Sequence, residues 1–156
     1  MTDDVGDHPG PEPAILISDR QGRGLDLDAL SRLARDTLTR EGLRRVELSV
    51  SFVDEAEIAE LHERYMHEPG PTDVLSFPLD PDDVERSGSG DGVRVMGDIV
   101  IAPAVAAANN PADPDGEIRL LLVHGILHLL GYDHEEEDER AEMWSRQERY
   151  SGVAAP

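Results

Sequence analysis

Three of the six histidines in this chain lie within residues 124–134, at a spacing that suits metal binding. His124 and His128 stand four positions apart, so on a helix their side chains lie on one face. Gly131 can end that helix, because glycine adopts a left-handed C-cap conformation without steric cost. The chain can then turn back and bring His134 to the same point. Three imidazoles that meet in this way can hold zinc with one coordination position open for water.

The same spacing resembles the extended zincin signature H-E-x-x-H-x-x-G-x-x-H. The three histidines and the glycine match, but Gly125 stands where those peptidases have the glutamate that serves as general base. The pattern therefore favours metal-dependent hydrolysis of a substrate other than a peptide. Zinc is the expected metal, while imidazole ligation without cysteine also permits nickel, copper or iron.

The helix that carries these histidines is predicted over residues 117–130, where apolar residues occupy nearly every side. That pattern is typical of a central buried helix. Two imidazoles placed there cost free energy unless both are satisfied, and a metal would satisfy them. Asp133, beside the third histidine, is open to two interpretations: it orients a metal-binding histidine, or it is a turn residue.

Composition restricts the class of protein. A length of 156 residues suits one domain with a hydrophobic core, so we expect a disordered tail at 1–13 and a single metal-dependent hydrolase domain at 14–150. The absence of cysteine excludes disulfides and thiolate metal sites. No apolar stretch is long enough to span a membrane, and the acidic N-terminus does not read as a secretory signal. A cytoplasmic protein without membrane contacts is expected.

The net charge of −20 argues against unselective binding to nucleic acid or to anionic membranes. A simple nucleic-acid-binding module is therefore disfavoured. An enzyme that docks RNA in a local groove beside a divalent cation remains compatible with this charge.

Hydrophobic periodicity and turn residues predict the elements that must position the histidines. Strands are predicted at 14–18, 46–53, 74–79 and 93–101. Helices are predicted at 28–40, from the Asp54 N-cap to a break at 69–71, and at 102–108, 117–130 and 135–150. Pro78 places the third strand at a sheet edge or at a strand end, and a polar loop at 80–92 makes a hairpin of the last two strands. These elements predict an α+β fold, with a small mixed sheet, helices packed on it and a central metal-binding helix.

The periodicity also predicts which large side chains of two helices face the core. The aromatic residues of the last helix are expected to pack inside rather than to form a platform on which bases stack. The expected inward residues are Ile58, Leu61, Tyr65, Met143, Trp144 and Tyr150.

Three segments together resemble the bacterial YbeY endoribonuclease family of rRNA maturation factors. They are His-Gly-Ile-Leu-His-Leu-Leu-Gly-Tyr-Asp-His at 124–134, Pro-Thr-Asp-Val-Leu-Ser-Phe-Pro at 71–78 and Gly-Asp-Ile-Val-Ile at 97–101. Their order and spacing also fit, and the similarity spans about residues 46–134. The first segment alone is highly specific.

This resemblance implies a zincin-like α+β fold with one bound zinc per chain, held by His124, His128 and His134. It implies a single-strand-specific endoribonuclease that acts in the cytoplasm, in 3′-end maturation of small-subunit rRNA and in ribosome quality control. The implied partners are single-stranded rRNA, the small ribosomal subunit with its proteins, and the Era GTPase.

One departure from the family concerns an arginine that many relatives carry directly after a tyrosine and that is thought to contact RNA. Here Met66 follows Tyr65, and Arg64 precedes it in a different helical direction. His67 is another nearby candidate, so the sequence assigns no replacement. Thr72, Asp73 and Ser76 are candidates for the lining of a substrate groove along the edge strand, although simple edge and turn roles are open for each.

The nucleophile and two rival functions stay open. Cleavage can use a metal-bound hydroxide or the ribose 2′-OH, which differ in whether a 2′,3′-cyclic phosphate forms. Asp98 is a candidate general base, with a structural hydrogen-bonding role favoured. The rivals are a metallopeptidase, disfavoured by Gly125, and a non-enzymatic ribosome-assembly factor whose zinc is structural, with Asp133, Glu135 or His67 as fourth ligand.

Overall fold

The structure is a computed structural model that describes residues 12–79, 93–132 and 137–153. The described residues form four strands and five helices. In chain order these are β1 (Ala14–Arg20), α1 (Leu27–Arg40), β2 (Val46–Val53), α2 (Glu55–Met66), β3 (Val74–Pro78), β4 (Arg94–Ile101), α3 (Pro103–Asn109), α4 (Pro114–Leu129) and α5 (Glu137–Ser151).

The strands form one mixed sheet in the order β1-β2-β4-β3. β1, β2 and β4 run parallel, and β3 pairs antiparallel with β4. The predicted hairpin and the predicted edge position of the third strand are therefore confirmed. Pro78 is the last residue of β3 and lies opposite Gly97, where its missing N–H removes little from the ladder.

Helices cover both faces of the sheet because successive side chains of a strand point to opposite faces. Leu48 and Ile99 belong to the main core, which α1 and α4 close. Val100, the next residue of β4, belongs to a second cluster on the other face, with Ile58 of α2. This alternation confirms an α+β fold with a small mixed sheet.

Helix α4 lies at the centre of the molecule, in contact with α1, α3, α5, β3 and β4. Its predicted central position is confirmed, although it begins at Pro114, before the predicted residue 117. The Asp113 side chain accepts a hydrogen bond from the Gly116 N–H, and proline is favoured in the first turn. These two signals extend the helix beyond its apolar stretch.

Two aromatic side chains predicted to face the core lie at the surface. Tyr65 is 55% exposed in the last turn of α2, where its ring meets Phe77 edge-on at a centroid distance of 5.4 Å. Trp144 is 37% exposed. On α5 the buried stripe runs through Met143, Gln147 and Tyr150 at helical spacing, which leaves Trp144 at its margin.

Some predictions fall outside the described residues. These are most of the predicted tail, the loop at 80–92, and the segment at 133–136 that contains Asp133 and His134. Among the described residues, no helix combines the length and the apolarity that a membrane span needs.

Candidate active site

The two histidines of α4 lie side by side, as their spacing predicts. Their ring centroids are 4.6 Å apart and the rings meet edge to face. Both side chains are half-buried, whereas the intervening residues from Gly125 to Leu127 are buried against the sheet and the neighbouring helices. His124 and His128 therefore form one polar face on an otherwise apolar helix.

Gln147 of α5 holds the first of these histidines from behind. Nδ1 of His124 lies 2.7 Å from Oε1 of Gln147, and Gln147 is only 3% exposed. An amide oxygen accepts hydrogen bonds, so Nδ1 carries the hydrogen and Nε2 keeps its lone pair. Such a bond fixes the tautomer and the ring orientation that a metal ligand requires. The sequence signal was a glutamine within the buried stripe of an amphipathic helix, which sequence reasoning overlooked.

A cleft of about 350 Å³, the histidine cleft, lies between this face of α4, the edge strand β3 and the end of α2. It includes two of the three predicted groove residues, Thr72 and Ser76. The third, Asp73, lies in a neighbouring cleft described below. The histidine cleft is lined by His62, Met66, Glu68, Thr72, Val74, Leu75, Ser76, His124 and His128.

The position of Gly125 explains in physical terms why the zincin glutamate is missing. A Cβ atom at this residue would lie 3.0 Å from Cγ2 of Ile99 and 3.2 Å from Oγ of Ser76. The Ser76 hydroxyl also donates to the Gly125 carbonyl at 3.4 Å. Helix α4 is thus packed closely against the sheet at this point, and a longer side chain would push the two apart.

His62 of α2 is a cleft residue that sequence reasoning missed. Its Nδ1–H donates to the Gly70 carbonyl at 2.9 Å, and its Nε2 lies 3.9 Å from Oε1 of Glu68. Since a carbonyl oxygen only accepts, Nε2 is the ring nitrogen that can exchange a proton. The candidate named from the sequence, His67, instead ends α2 in a left-handed conformation and is exposed outside the cleft.

A second cleft of about 250 Å³, the tryptophan cleft, lies on the other side of His124. Two half-buried carboxyl groups face it, those of Asp73 and Glu117. Burial raises the pKa of Glu117, and the negative charge of Asp73 raises it further. A hydrogen bond from Asn110 lowers this pKa, but by less than the other two effects raise it. The tryptophan cleft is lined by Asp73, Val74, Glu117, Leu120, Leu121, His124, Trp144 and Gln147.

The donor set of this site suits a metal ion as far as the structure describes it. Neighbouring imidazoles at i and i+4, one with Nδ1 already engaged, are suitable ligands for zinc. Within residues 12–79, 93–132 and 137–153, no group of three His, Asp or Glu side chains comes together as a ligand set. The expected third ligand, His134, and its neighbour Asp133 lie outside those residues. Asp98 is exposed on β4 and lines neither cleft.

Comparison with known proteins gives a consistent result. The family described as endoribonuclease YbeY matches residues 16–153. The chain belongs to this family. The endoribonuclease YbeY of Acidothermus cellulolyticus is 50% identical over 142 residues, which cover 85% of this chain and 86% of the relative. That of Thermobifida fusca is 48% identical over 142 residues, covering 86% and 89%. A solution structure of a Thermotoga maritima protein has a TM-score of 0.61 and 32% identity, covering 88% of this chain and 86% of that one.

Membership in the YbeY family confirms the resemblance that the sequence motifs indicate, and the zincin-like α+β fold is confirmed with it. The family match extends well beyond residues 46–134, to include β1, α1 and α5. Helix α5 carries Gln147 and Trp144, so all residues that line the two clefts lie within the matched region.

A buried polar cluster lies just before the segment that carries His134. Tyr132 donates to Glu41 at 2.8 Å, and Glu41 also pairs with Arg146 at 2.5 Å and accepts from Tyr150. Burial alone would raise the pKa of Glu41, but these hydrogen bonds outweigh it and hold the pKa below its ordinary value. Burial, and then the hydrogen bond to Glu41, raise the pKa of Tyr132 to about 12. The cluster ties the end of α1 to α5 and fixes the chain at Tyr132.

Proposed function

We propose that this chain is a metal-dependent endoribonuclease that cuts single-stranded RNA. The observation that carries the proposal is the pair of histidines, His124 and His128, on the wall of a cleft beside the open edge of β3, in a chain of the YbeY family. The relatives named above are endoribonucleases. A strand edge next to a polar cleft suits an extended single strand better than a duplex.

Zinc is the metal we propose, one ion per chain, with His124, His128 and His134 as its ligands. Three neutral imidazoles leave a coordination position open, as catalytic zinc sites do. Bound there, zinc would supply a Lewis acid for a phosphoryl oxygen and a water of lowered pKa. Gln147 supports this role because it accepts from Nδ1–H of His124, which makes Nε2 the ring nitrogen that carries the lone pair.

Within the histidine cleft, the side chains of the protein can bind and orient the phosphodiester. His62 can donate a hydrogen bond from Nε2 to a phosphate oxygen when protonated, or accept a proton when neutral, while Gly70 holds its ring in place. We propose that His62 takes the part that an arginine plays in many relatives, since Met66 stands at that position. Ser76 lies on the same wall, and because its hydroxyl donates to the Gly125 carbonyl, its oxygen can accept a hydrogen bond from the substrate.

The proposed cellular role is 3′-end maturation of small-subunit rRNA together with ribosome quality control, in the cytoplasm. The proposed partners are the small ribosomal subunit with its proteins, and the Era GTPase. A net charge of −20 gives the chain little attraction for free RNA. This favours a substrate that is presented on a larger particle.

The direct test is cleavage of a single-stranded RNA that ends in the small-subunit rRNA 3′ tail, with metal content measured first. Wild type is expected to cleave and His128→Ala to lose both metal and cleavage. His67→Asn is the matched control, because it changes an exposed histidine outside the cleft to a residue that tolerates the same left-handed backbone. A 2′,3′-cyclic phosphate on the products would identify the 2′-OH as nucleophile, and its absence would identify water.

The two rival functions give different results in the same experiment. Metal-loaded wild type that leaves RNA intact, with and without added small subunits, would favour an assembly factor with a structural zinc. Casein cleavage by wild type would favour a peptidase. Gly125 argues against the peptidase, because the glutamate base is absent and a Cβ at this position would already lie 3.0 Å from the Ile99 side chain.

A further inference from the structure

The tryptophan cleft adjoins the proposed site of cleavage and is not used by it. His124 and Val74 line both clefts, so the two clefts adjoin at these residues. The indole of Trp144 lies 6.0 Å from the His124 ring between centroids, with the planes inclined by 38°. An exposed aromatic surface therefore lies directly beside the proposed site of cleavage.

The lining of this cleft suits a nucleobase and disfavours a phosphate. Trp144 and Leu120 provide a flat apolar surface, on which bases stack without regard to their sequence. The carboxyl groups of Asp73 and Glu117 line the same cleft, where they repel phosphate and accept hydrogen bonds, as Asp73 does from Nδ2 of Asn109 at 3.4 Å. At about 250 Å³ the cleft is smaller than the ~300 Å³ at which drug-sized ligand pockets begin, so it suits a single base.

We propose that the tryptophan cleft binds the nucleobase next to the scissile phosphate and selects guanine over uracil; this rests on the proposed endoribonuclease function. The Watson–Crick edge of guanine presents N1–H and N2–H₂ side by side, and two carboxylates accept both. The uracil edge presents a single donor, N3–H, between two carbonyl oxygens, which carboxylates repel. Trp144 supplies stacking for either base, whereas Asp73 and Glu117 supply the selection.

Trp144 is the single tryptophan of the chain, so intrinsic fluorescence reports on this cleft directly and without any cleavage. Guanosine 5′-monophosphate is expected to quench it in a saturable way, at least tenfold more tightly than uridine 5′-monophosphate. The two nucleotides carry the same phosphate, so the difference measures the base. Inosine 5′-monophosphate lacks the 2-amino group and is expected to lie between them. Equal quenching by all three, or none by any, would overturn the proposal.

Variants separate selection from stacking. Glu117→Gln replaces one acceptor by an amide that also donates, and it should reduce the guanine preference about tenfold, because guanosine monophosphate loses an acceptor while the repulsion of the uracil carbonyl oxygens is relieved. Glu63→Gln on the exposed side of α2 is the matched control and should behave as wild type. An unchanged guanine preference in Glu117→Gln would contradict the assigned role of that carboxylate.

The same reagents distinguish this proposal from the one on which it rests. Selective quenching by guanosine monophosphate without any RNA cleavage would leave the base site standing and reject the endoribonuclease function. Cleavage that is indifferent to guanine, together with unselective quenching, would reject the base site alone. In the expected case, wild type cleaves beside a single guanosine in an oligouridine strand, Glu117→Gln loses that preference for position, and Trp144→Ala weakens the binding of either base.

Discussion

Replacement of Gln147 by methionine is expected to weaken metal binding without unfolding the protein. Methionine has a similar volume, so the buried position stays filled, and the free energy of unfolding should fall by about 1–3 kcal/mol, mainly because Nδ1–H of His124 loses its acceptor. The change removes the oxygen that lies 2.7 Å from Nδ1 of His124, at a site only 3% exposed, where water cannot easily take its place. Loss of such an orienting bond typically costs about 10–100-fold in metal affinity, which corresponds to about 1.4–2.7 kcal/mol.

Zinc affinity can be measured by competition with a chromophoric chelator, alongside thermal unfolding of the metal-free protein. Gln147→Glu is the conservative variant: it keeps an oxygen acceptor at the same place and adds a negative charge behind the imidazole, so it should bind zinc at least as tightly as wild type. Glu148→Gln is the matched control, because it changes the neighbouring exposed residue of α5. The comparison separates the role of the acceptor from a general effect on the helix.

Three results would count against this reasoning. If Gln147→Met is folded and binds zinc with wild-type affinity, then the bond to Nδ1 does not prepare His124 for metal binding. A drop in affinity that Gln147→Glu fails to restore would also count against it, since packing rather than the hydrogen bond would then be responsible. A large fall in metal-free stability would reassign the residue to the core.

Substitutions at three further positions, with a control at a fourth, test the surrounding structure. Glu41→Gln should lower the free energy of unfolding by about 2–3 kcal/mol at neutral pH. Because folding lowers the pKa of Glu41, the carboxylate stabilises the protein above its unfolded-state pKa, and this stabilisation is lost as the pH falls through the folded-state pKa. Urea titrations of the variant and of wild type should therefore converge in acid. Gly97→Ala should lower the free energy of unfolding by about 3 kcal/mol or more, because Gly97 has a φ of +139° and a Cβ there would lie 2.3 Å from the Phe77 carbonyl oxygen. Gly22 has open space around it, so Gly22→Ala should leave the free energy of unfolding nearly unchanged in the same titration. Gly125→Ala should lower the free energy of unfolding by about 1–3 kcal/mol, because the new methyl group would contact Ile99. Gly125→Glu should not cleave casein.

Local signals predicted much of this fold correctly. Alternating apolar residues placed β2 at its observed bounds, and Asp54 caps α2 as predicted, accepting from the Glu57 N–H at 2.8 Å. Helical spacing likewise placed His124 and His128 on one face. Each of these features depends on residues within a few positions of one another, so the sequence expresses them directly.

The features that the sequence did not predict depend on contacts between distant elements. Gln147 lies 23 positions from the histidine that it holds, and no local pattern links the two. Trp144 was assigned to the core because tryptophan is usually buried, but the inward stripe of α5 passes beside it. His62 reaches the cleft only because α2 ends beside β3, and Gly70 then accepts its hydrogen bond. The nearer candidate, His67, is closer in sequence to the predicted groove and yet lies outside it.

The acidity of the chain and the two clefts together indicate how RNA is held. The described residues that line them include no arginine, while Glu68, Asp73 and Glu117 add negative charge. On the proposed function, a phosphodiester gains its attraction mainly from a bound cation and from His62, and the base site proposed for Trp144 attracts the nucleobase. Few phosphate contacts imply a shallow dependence of affinity on salt, so affinity for free RNA should follow metal loading more than ionic strength. Presentation of the substrate on a larger particle, which we propose, would replace the long-range attraction that a net charge of −20 does not provide.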